Sequence, residues 1–279
     1  MKSLTPIRQI DSLRDYVRRQ RASGKRVGLV PTMGALHEGH LSLVEDIGQQ
    51  VNTVIVSIFV NPKQFSEHED LHTYPRHETE DLQKLVATCA NAVFAPSASE
   101  MYPLGFATSL AVEGPARGLE TAIRPHFFAG VSLVVAKLLL QTLPDVAIFG
   151  EKDYQQLLVI RRIVRDLDIP VEIVGGPIIR EPDGLALSSR NAYLSADQRV
   201  IAGRLNRILH ALADASDPPD IAEAKAHDAL LEAGFSGVDY ACIRDAETLA
   251  LPDAGTTRRR ALIAARLGDI RLIDNMDAR

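Results

Sequence analysis

Pro31-Thr32-Met33-Gly34-Ala35-Leu36-His37-Glu38-Gly39-His40 stands between a short apolar run, Val27-Gly28-Leu29-Val30, and a segment with Leu41, Val44, Ile47 and Val51 at spacings near three and four. The first pattern predicts a buried strand and the second an amphipathic helix. The decapeptide is therefore a strand end, a glycine-bearing turn and the first turn of a helix. His37 and His40 are three residues apart, which puts both imidazoles on one face of that turn. A helix start presents backbone N–H groups without intrahelical partners and a partial positive charge, so it receives a phosphate well. Gly34 and Gly39 have no side chains, which lets a flat or anionic ligand approach the backbone. Imidazoles there can donate to oxygens that gain charge when phosphorus is attacked. The pattern points to nucleotide chemistry. Zinc ligation is one competing reading, but metalloprotease helices space their histidines i and i+4, and no Cys pair lies nearby. A solvated helix start with incidental histidines is the other; the glycines and the strand–turn–helix context count against it.

The 279 residues suit one large or two modest domains. Apolar content of 46% and charged content of 24% are those of an ordinary globular chain. A net charge of −5 argues against a nucleic-acid partner, so an anionic substrate must be met by local basic residues. Cys89 and Cys242 both lie in apolar runs and read as small core residues. No secretory leader is visible, and the longest apolar stretch, Val131–Leu140, contains Lys137 and is too short to span a bilayer. The expectation is a soluble cytoplasmic protein with no membrane partner.

Strand-like and helix-like runs alternate through the first 180 or so residues. After Val27–Val30 and the helix near Leu41–Gln50 come strand Val54–Val60, helix Asp81–Cys89 and strand Ala92–Ala95. Helix Ala129–Leu143, strand Asp145–Phe149, helix Tyr154–Asp166 and strand Val171–Val174 complete the set. Such alternation predicts an α/β fold: a Rossmann-like parallel sheet with helices on both faces, over residues 1–184. Ligands of these sheets collect at the carboxyl ends of the strands. Beyond, Ser195-Ala196-Asp197-Gln198 is a capping box opening a helix to about Ala213. A second helix, Ala222–Ala233, and β-rich runs Tyr240–Ile243, Ala261–Leu267 and Ile270–Ile273 follow. They predict a smaller α+β domain over residues 185–279.

Four strand ends then bring polar loops to one rim. Gly150-Glu151-Lys152-Asp153 is a second glycine turn opening a helix, where Lys152 can neutralise phosphate oxygens. Asp153 can accept from a ribose hydroxyl or cap the helix. A surface Lys–Asp pair is the plainer reading. Asp183-Gly184 and Ser188-Ser189-Arg190-Asn191 supply hydroxyls, backbone N–H groups and a guanidinium suited to a triphosphate, or else form an interdomain linker. Gln64 and Gln156 carry amides that can orient a hydroxy acid without adding charge, or that simply face solvent. His68, Asp70, His72, His77, Glu78, Glu80 and Asp81 form a tract rich in histidine and acid, read as a solvated loop and helix start rather than a metal cluster. One of its carboxylates can still reach a magnesium ion on a nucleotide.

Taken together, P-T-M-G-A-L-H-E-G-H (31–40), S-I-F-V-N-P-K-Q-F (57–65), Y-P-R (74–76), F-A-G-V (128–131), F-G-E-K-D-Y-Q-Q (149–156) and D-G-L-A-L-S-S-R-N (183–191) resemble the pantothenate synthetase (pantoate–β-alanine ligase) family, of the HIGH-motif nucleotidyltransferase superfamily. Arg244-Asp245, Glu247-Thr248-Leu249 and Arg271-Leu272-Ile273-Asp274-Asn275 extend the resemblance over the whole chain. It implies ATP-dependent condensation of pantoate with β-alanine through a pantoyl adenylate, with magnesium, in a homodimer. By resemblance, Met33, Gly34, Ala35, Leu36, His37, Glu38, Gly39 and His40 line ATP, with His40 as proton donor and His37 beside it on the phosphates. Gly150, Glu151, Lys152, Asp153, Ile179, Leu187, Ser188, Ser189 and Arg190 complete the ATP site, and Gln64 and Gln156 hold pantoate. Leu187 stands where many relatives have Met, a volume-conserving difference. Glu80-Asp81 with Lys84 one turn later departs from the arrangement expected around magnesium, so the metal ligands stay unassigned. A nucleotidyltransferase would share the H-x-G-H turn, but it leaves the Gln64 and Gln156 loops and the C-terminal domain unexplained. A non-catalytic nucleotide-binding regulator has no use for paired imidazoles beside the phosphates.

Overall fold

A computed structural model describes residues 3–66, 71 and 74–279. His68, Asp70 and His72 of the acidic tract lie outside the described residues. Five strands form a parallel sheet: β1 (Val27–Thr32), β2 (Thr53–Ile58), β3 (Ala90–Phe94), β4 (Val146–Gly150) and β5 (Glu172–Gly176). Their order is β3-β2-β1-β4-β5. Alternation along each strand sends successive side chains to opposite faces, and both faces are covered. Val27 and Leu29 pack with Leu13 and Val17 of α1 (Ile10–Ala22), Val135 and Leu139 of α6 (Phe127–Thr142), and Leu157 and Ile160 of α7 (Tyr154–Asp166). Val30, Val56 and Ile148 face Val44 and Ile47 of α2 (Glu38–Gly48) and Leu85 of α3 (Glu78–Val86). Two short helices, α4 (Ala98–Met101) and α5 (Glu120–Ile123), lie in the connection leading to α6.

Beyond β5 stand α8 (Ala196–Ala202), α9 (Arg204–Ala213) and α10 (Pro219–Glu232), then β6 (Gly237–Asp245), β7 (Arg259–Leu267) and β8 (Ile270–Ala278). The three strands form an antiparallel sheet in the order β6-β7-β8. One face packs Ile243, Ile263 and Leu272 against Leu205, Leu209 and Leu230 of the helices. The other sets Cys242 and Leu262 against Tyr154 and Leu158 of α7. This sheet is thus pinned between its own helices and the parallel-sheet domain. Cys242 is buried, and burial pushes its thiol up to about 12. Half-buried Cys89 donates through Sγ to the Val44 carbonyl at 3.0 Å.

The expected elements form, and besides the short helices α4 and α5 two longer stretches differ from expectation. The helix predicted from Ser195 to Ala213 is two helices that meet at Gly203, which packs against the Asp183 carboxylate. Its capping box does form: Gln198 N–H donates to Ser195 Oγ at 3.2 Å, and Ser195 N–H donates to Gln198 Oε1 at 3.0 Å. Helix α1 is an element that the sequence reading does not anticipate. Its apolar stripe is Ile10, Leu13, Tyr16 and Val17, and four arginines (Arg14, Arg18, Arg19 and Arg21) share its surface. Packing on the sheet, not local pattern, stabilises such a helix.

Gly130 of α6 is required by close approach. A β-carbon there would collide with the Lys63 carbonyl in a 3-10 turn, Pro62–Gln64, that follows β2. Asn61 Nδ2 also donates to the Gly130 carbonyl at 3.1 Å. Gly130→Ala must push helix and turn apart, at an expected cost of about 1–3 kcal/mol. Urea denaturation checks this; an unchanged midpoint would show that the contact yields freely.

Candidate functional site

Strand order reverses between β1 and β4, so the connections leaving their carboxyl ends diverge and open a crevice. A cavity of about 820 Å³ occupies it, within the range of small-molecule sites. Its wall includes Met33, His37, Gly39 and His40 after β1, Gln64 after β2, and Gly150, Lys152, Asp153 and Gln156 after β4. Ile179, Leu187, Ser188, Ser189 and Arg190 close another side. Residues distant in sequence thus meet at one rim. Gly34, Ala35, Leu36, Glu38 and Glu151 are not on this wall.

Asp81 accounts for three of these exceptions. Its carboxylate, 1% exposed, accepts from Ala35 N–H at 2.9 Å and Leu36 N–H at 2.8 Å. Lys84 Nζ donates to the Leu36 carbonyl at 2.7 Å. Gly34 turns with φ +85°, in the left-handed region, and its Cα side faces Asp81 and Ile58 rather than a ligand. The N–H groups of Ala35 and Leu36, just before the helix start, are therefore taken by the protein's own carboxylate, while those of Gly39 and His40 in the first helical turn bond to His37. Asp81 is the brace of the turn.

The helix start is capped by its own histidines. His37 is the N-cap of α2 and its Nδ1 accepts from Gly39 N–H at 3.2 Å, while His40 Nδ1 accepts from His37 N–H at 3.4 Å. This reciprocal bonding is a capping box built from imidazoles. An Nδ1 that accepts carries no hydrogen, so each neutral ring has its proton on Nε2. The rings lie 4.1 Å apart between centroids, tilted by 38°. Burial, then the neighbouring imidazole of His37 and the cations Lys152 and Lys84, lowers His40 to about 3. Burial with Lys152 and Lys84 lowers His37 to about 4, against a small opposing effect of Asp153. At neutral pH both rings are uncharged N–H donors. Burial also lowers Lys152, as Arg190 does, while Asp153 and Asp274 act in the opposite sense.

The lysine turn is held from the far end of the chain. Asn275 Nδ2 donates to the carbonyls of Glu151 at 3.0 Å and Lys152 at 2.9 Å. Arg260 Nε donates to Asn275 Oδ1 at 2.8 Å, and its Nη2 donates to Glu151 Oε2 at 3.2 Å. Glu151 is thus engaged in an ion pair, which keeps it off the wall. Next to Asn275, Asp274 pairs with Arg180 at 2.6 and 3.0 Å. Arg180 begins a hairpin whose exit, Leu187 N–H to Ile179 carbonyl at 2.9 Å, delivers Ser188–Arg190 to the cavity.

At the other end of the cavity, Tyr102 Oη donates to Asn61 Oδ1 at 2.8 Å, and Asn61 Nδ2 donates to Gln64 Oε1 at 3.0 Å. This chain leaves Gln64 Nε2 as the donor; it lies 3.1 Å from Met33 Sδ on the cavity wall. Gln155 and Gln156 both border the cavity, but the Gln155 amide is committed to the fold: it donates to the Pro115 carbonyl at 2.9 Å and accepts from Glu120 N–H at 3.0 Å. Among the described residues no group of three or more His, Cys, Asp or Glu side chains is placed to hold a metal. Sequence reasoning missed the roles of Asp81, Arg260, Asn275 and Arg180. The available signal was Arg260, a charged residue set directly against the apolar run Ala261–Ala265.

Comparison with known proteins follows the same lines. The Pantoate-beta-alanine ligase family profile matches residues 5–277. The chain is 52% identical to the pantothenate synthetase of Caulobacter vibrioides, covering 99% of each chain. It is 51% identical to that of Mesorhizobium japonicum, covering 97% of this chain and 96% of the relative. Among solved structures, the pantothenate synthetase of Thermus thermophilus superposes with a TM-score of 0.86 at 44% identity, over 98% of this chain and 99% of that one. The pantoate-beta-alanine ligase of Francisella tularensis, described as complexed with beta-gamma ATP and beta-alanine, gives 0.84 at 33% identity, over 99% and 98%.

The histidine geometry has a measurable consequence. Both folded-state values lie below the ordinary imidazole value, so below about pH 6.5 the unfolded chain binds protons that the folded chain refuses. Stability is expected to be full above that pH and to decline as pH falls through 6.5 towards 3. Imidazole nitrogen shifts should report neutral Nε2–H tautomers for both residues at pH 5.5. A ring of either residue titrating near 6.5 would count against the buried arrangement.

Proposed function

This chain belongs to the pantoate-beta-alanine ligase family, and from that premise we propose that its cavity activates pantoate with ATP and passes the acyl group to β-alanine. A carboxylate is a poor acyl donor, since its leaving group would be oxide. In the proposed first step a pantoate carboxylate oxygen attacks the α-phosphorus, the bond from that phosphorus to the bridging oxygen breaks, and pyrophosphate leaves. Pantoyl adenylate remains. The β-alanine amine then attacks the activated carbonyl, AMP departs, and the new amide loses a proton. The observation that carries this reading is the pair of neutral imidazoles beside Lys152 at the reversal of strand order.

In this reading His40 and His37 donate through Nε2–H to phosphoryl oxygens that gain charge in the first step, Lys152 supplies positive charge to the departing pyrophosphate, and Arg190 supplies it to the triphosphate. A neutral imidazole donates a hydrogen bond here; the lowered pKa of His40 supports that role over outright proton transfer. Gly39, Gly150, Asp153, Ile179, Leu187, Ser188 and Ser189 surround the nucleotide. Gln64 and Gln156 orient pantoate, with Gln64 Nε2 as the donor end. The second step needs only an uncharged amine held against the acyl carbon, so positioning is enough. Residues 1–184 carry nucleotide and pantoate, and residues 185–279 cover them.

Magnesium belongs to the proposal as a companion of the triphosphate. The chain's own carboxylates do not form a cage among the described residues, and Asp81 is engaged with backbone. This fits an ion that keeps waters and phosphate oxygens as its ligands. No helix among the described residues is long and apolar enough to cross a membrane. A cytoplasmic homodimer, implied by the family resemblance, is part of the same proposal; light scattering after gel filtration tests the dimer.

Exchange of labelled pyrophosphate into ATP tests the two-step order. It should require pantoate and proceed without β-alanine, and the complete reaction should release AMP. Release of ADP would overturn the adenylate reading, and exchange that waits for β-alanine would favour a concerted route.

Gln64→Ala and Gln156→Ala should raise the pantoate requirement about 5- to 150-fold, from roughly 1–3 kcal/mol per lost contact, and leave MgATP binding nearly intact. Separate titrations with MgATP and pantoate decide this. Equal losses for both ligands would mean that the glutamines shape the whole cleft.

A further inference from the structure

The turn that carries Lys152 does not hold itself. Glu151–Asp153 is a single 3-10 turn between β4 and α7, and no side chain caps its start or the start of α7. Its peptide planes are fixed instead by Asn275, a residue of β8 that is 2% exposed. Both Nδ2 hydrogens are committed, one to each of two successive carbonyls, at 3.0 and 2.9 Å. Which end of the amide faces the turn is decided by Arg260, because a guanidinium can only donate and so demands the oxygen. Arg260 is itself 6% exposed, pairs with Glu151 and lies 4.2 Å above the Tyr154 ring. Tyr154 in turn donates to the Ala246 carbonyl at 2.8 Å.

We propose that Asn275, oriented by Arg260, is the positioning residue for Lys152, so that the C-terminal sheet sets the geometry of the first half-reaction and not of the second. This rests on the reading of Lys152 as partner of the triphosphate. The reason is local. Asn275 holds the carbonyls of the two peptide links that flank the Lys152 Cα, and the side chain that leaves this Cα is the one facing the phosphates. The amine that attacks in the second step meets a carbonyl already activated, where a cation on the departed pyrophosphate contributes nothing. Neither Asn275 nor Arg260 needs to touch substrate to act this way.

The test measures each half-reaction separately. Asn275→Ala should slow pantoate-dependent pyrophosphate exchange about 10- to 100-fold, as small misplacements of a reacting group do. Reaction of preformed pantoyl adenylate with β-alanine should stay within about twofold. Arg260→Lys, which keeps a charge near Glu151 but loses the planar fork, should give the same split in milder form. It serves as the second probe where Asn275→Ala folds poorly by circular dichroism. In a Lys152→Ala background, adding Asn275→Ala should change exchange by less than about twofold, since two residues that act through one group are not additive.

Equal loss in both half-reactions, or a full additional loss in the Lys152→Ala background, would make Asn275 merely structural and overturn the proposal. If Lys152→Ala slows exchange while Asn275→Ala and Arg260→Lys do not, the inference fails and the reading of Lys152 stands. If Lys152→Ala itself leaves exchange unchanged, that reading fails, and the inference falls with it.

Discussion

Parallel pairing of β1 with β4, Gly28 to Val146 and Leu29 to Ala147, is the constraint on which the rest depends. It joins two strands whose other neighbours lie on opposite sides, so the chain must leave their carboxyl ends in opposite directions. The gap between those departures is the crevice. Because the strands run the same way, the histidine turn and the lysine turn emerge from one edge and face each other. A change of register or direction in this pair would send the two turns apart.

What fills the crevice follows from electrostatics. Lys152 and Lys84 surround two imidazoles in a partly desolvated space, and every influence on His40 opposes its protonation. Charged imidazoles there would add repulsion among cations before any anion arrived. Neutral ones keep the donor geometry without that repulsion, and reciprocal capping aims their Nε2–H groups by occupying each Nδ1. The same logic governs Asp81. A buried carboxylate is tolerated because two backbone N–H groups satisfy it, and in exchange it fixes the strained turn through Gly34 and Ala35, both at positive φ.

The C-terminal sheet reaches into the cavity's wall. Consecutive residues of β8 hold the two loops that bring cations to the cavity: Asp274 through Arg180, and Asn275 through the lysine turn. An apolar seam of Tyr154, Leu158, Cys242 and Leu262 seats the sheet against α7, which brings these hydrogen bonds within range. A second link, Arg271 and Tyr240 on Glu120 at 2.7 and 2.9 Å, ties the same sheet to the start of α5. Shape complementarity and buried polar bonds therefore act together at this junction.

Local order was legible along the chain. Val27–Val30, the Leu41–Ile47 stripe and the Ser195–Gln198 capping box are patterns within one or two turns, and they determine the alternating strands and helices because burial of one face requires that spacing. The helix α1 was legible too, since Ile10, Leu13, Tyr16 and Val17 recur at helical spacing, but its four arginines mask that stripe. The H-x-x-H spacing also determined that two imidazoles share a face. It did not determine that their Nδ1 atoms turn inward, nor that the turn's free N–H groups are taken by Asp81, 45 and 46 residues away. Nor did it disclose that Asn275, 123 residues beyond Lys152, holds that lysine's carbonyl. Such bonds join single atoms across the fold and leave no period in the chain. Only tertiary packing decides them, within the parallel-sheet domain for Asp81 and between the two domains for Asn275, because it alone brings the partners within hydrogen-bond distance.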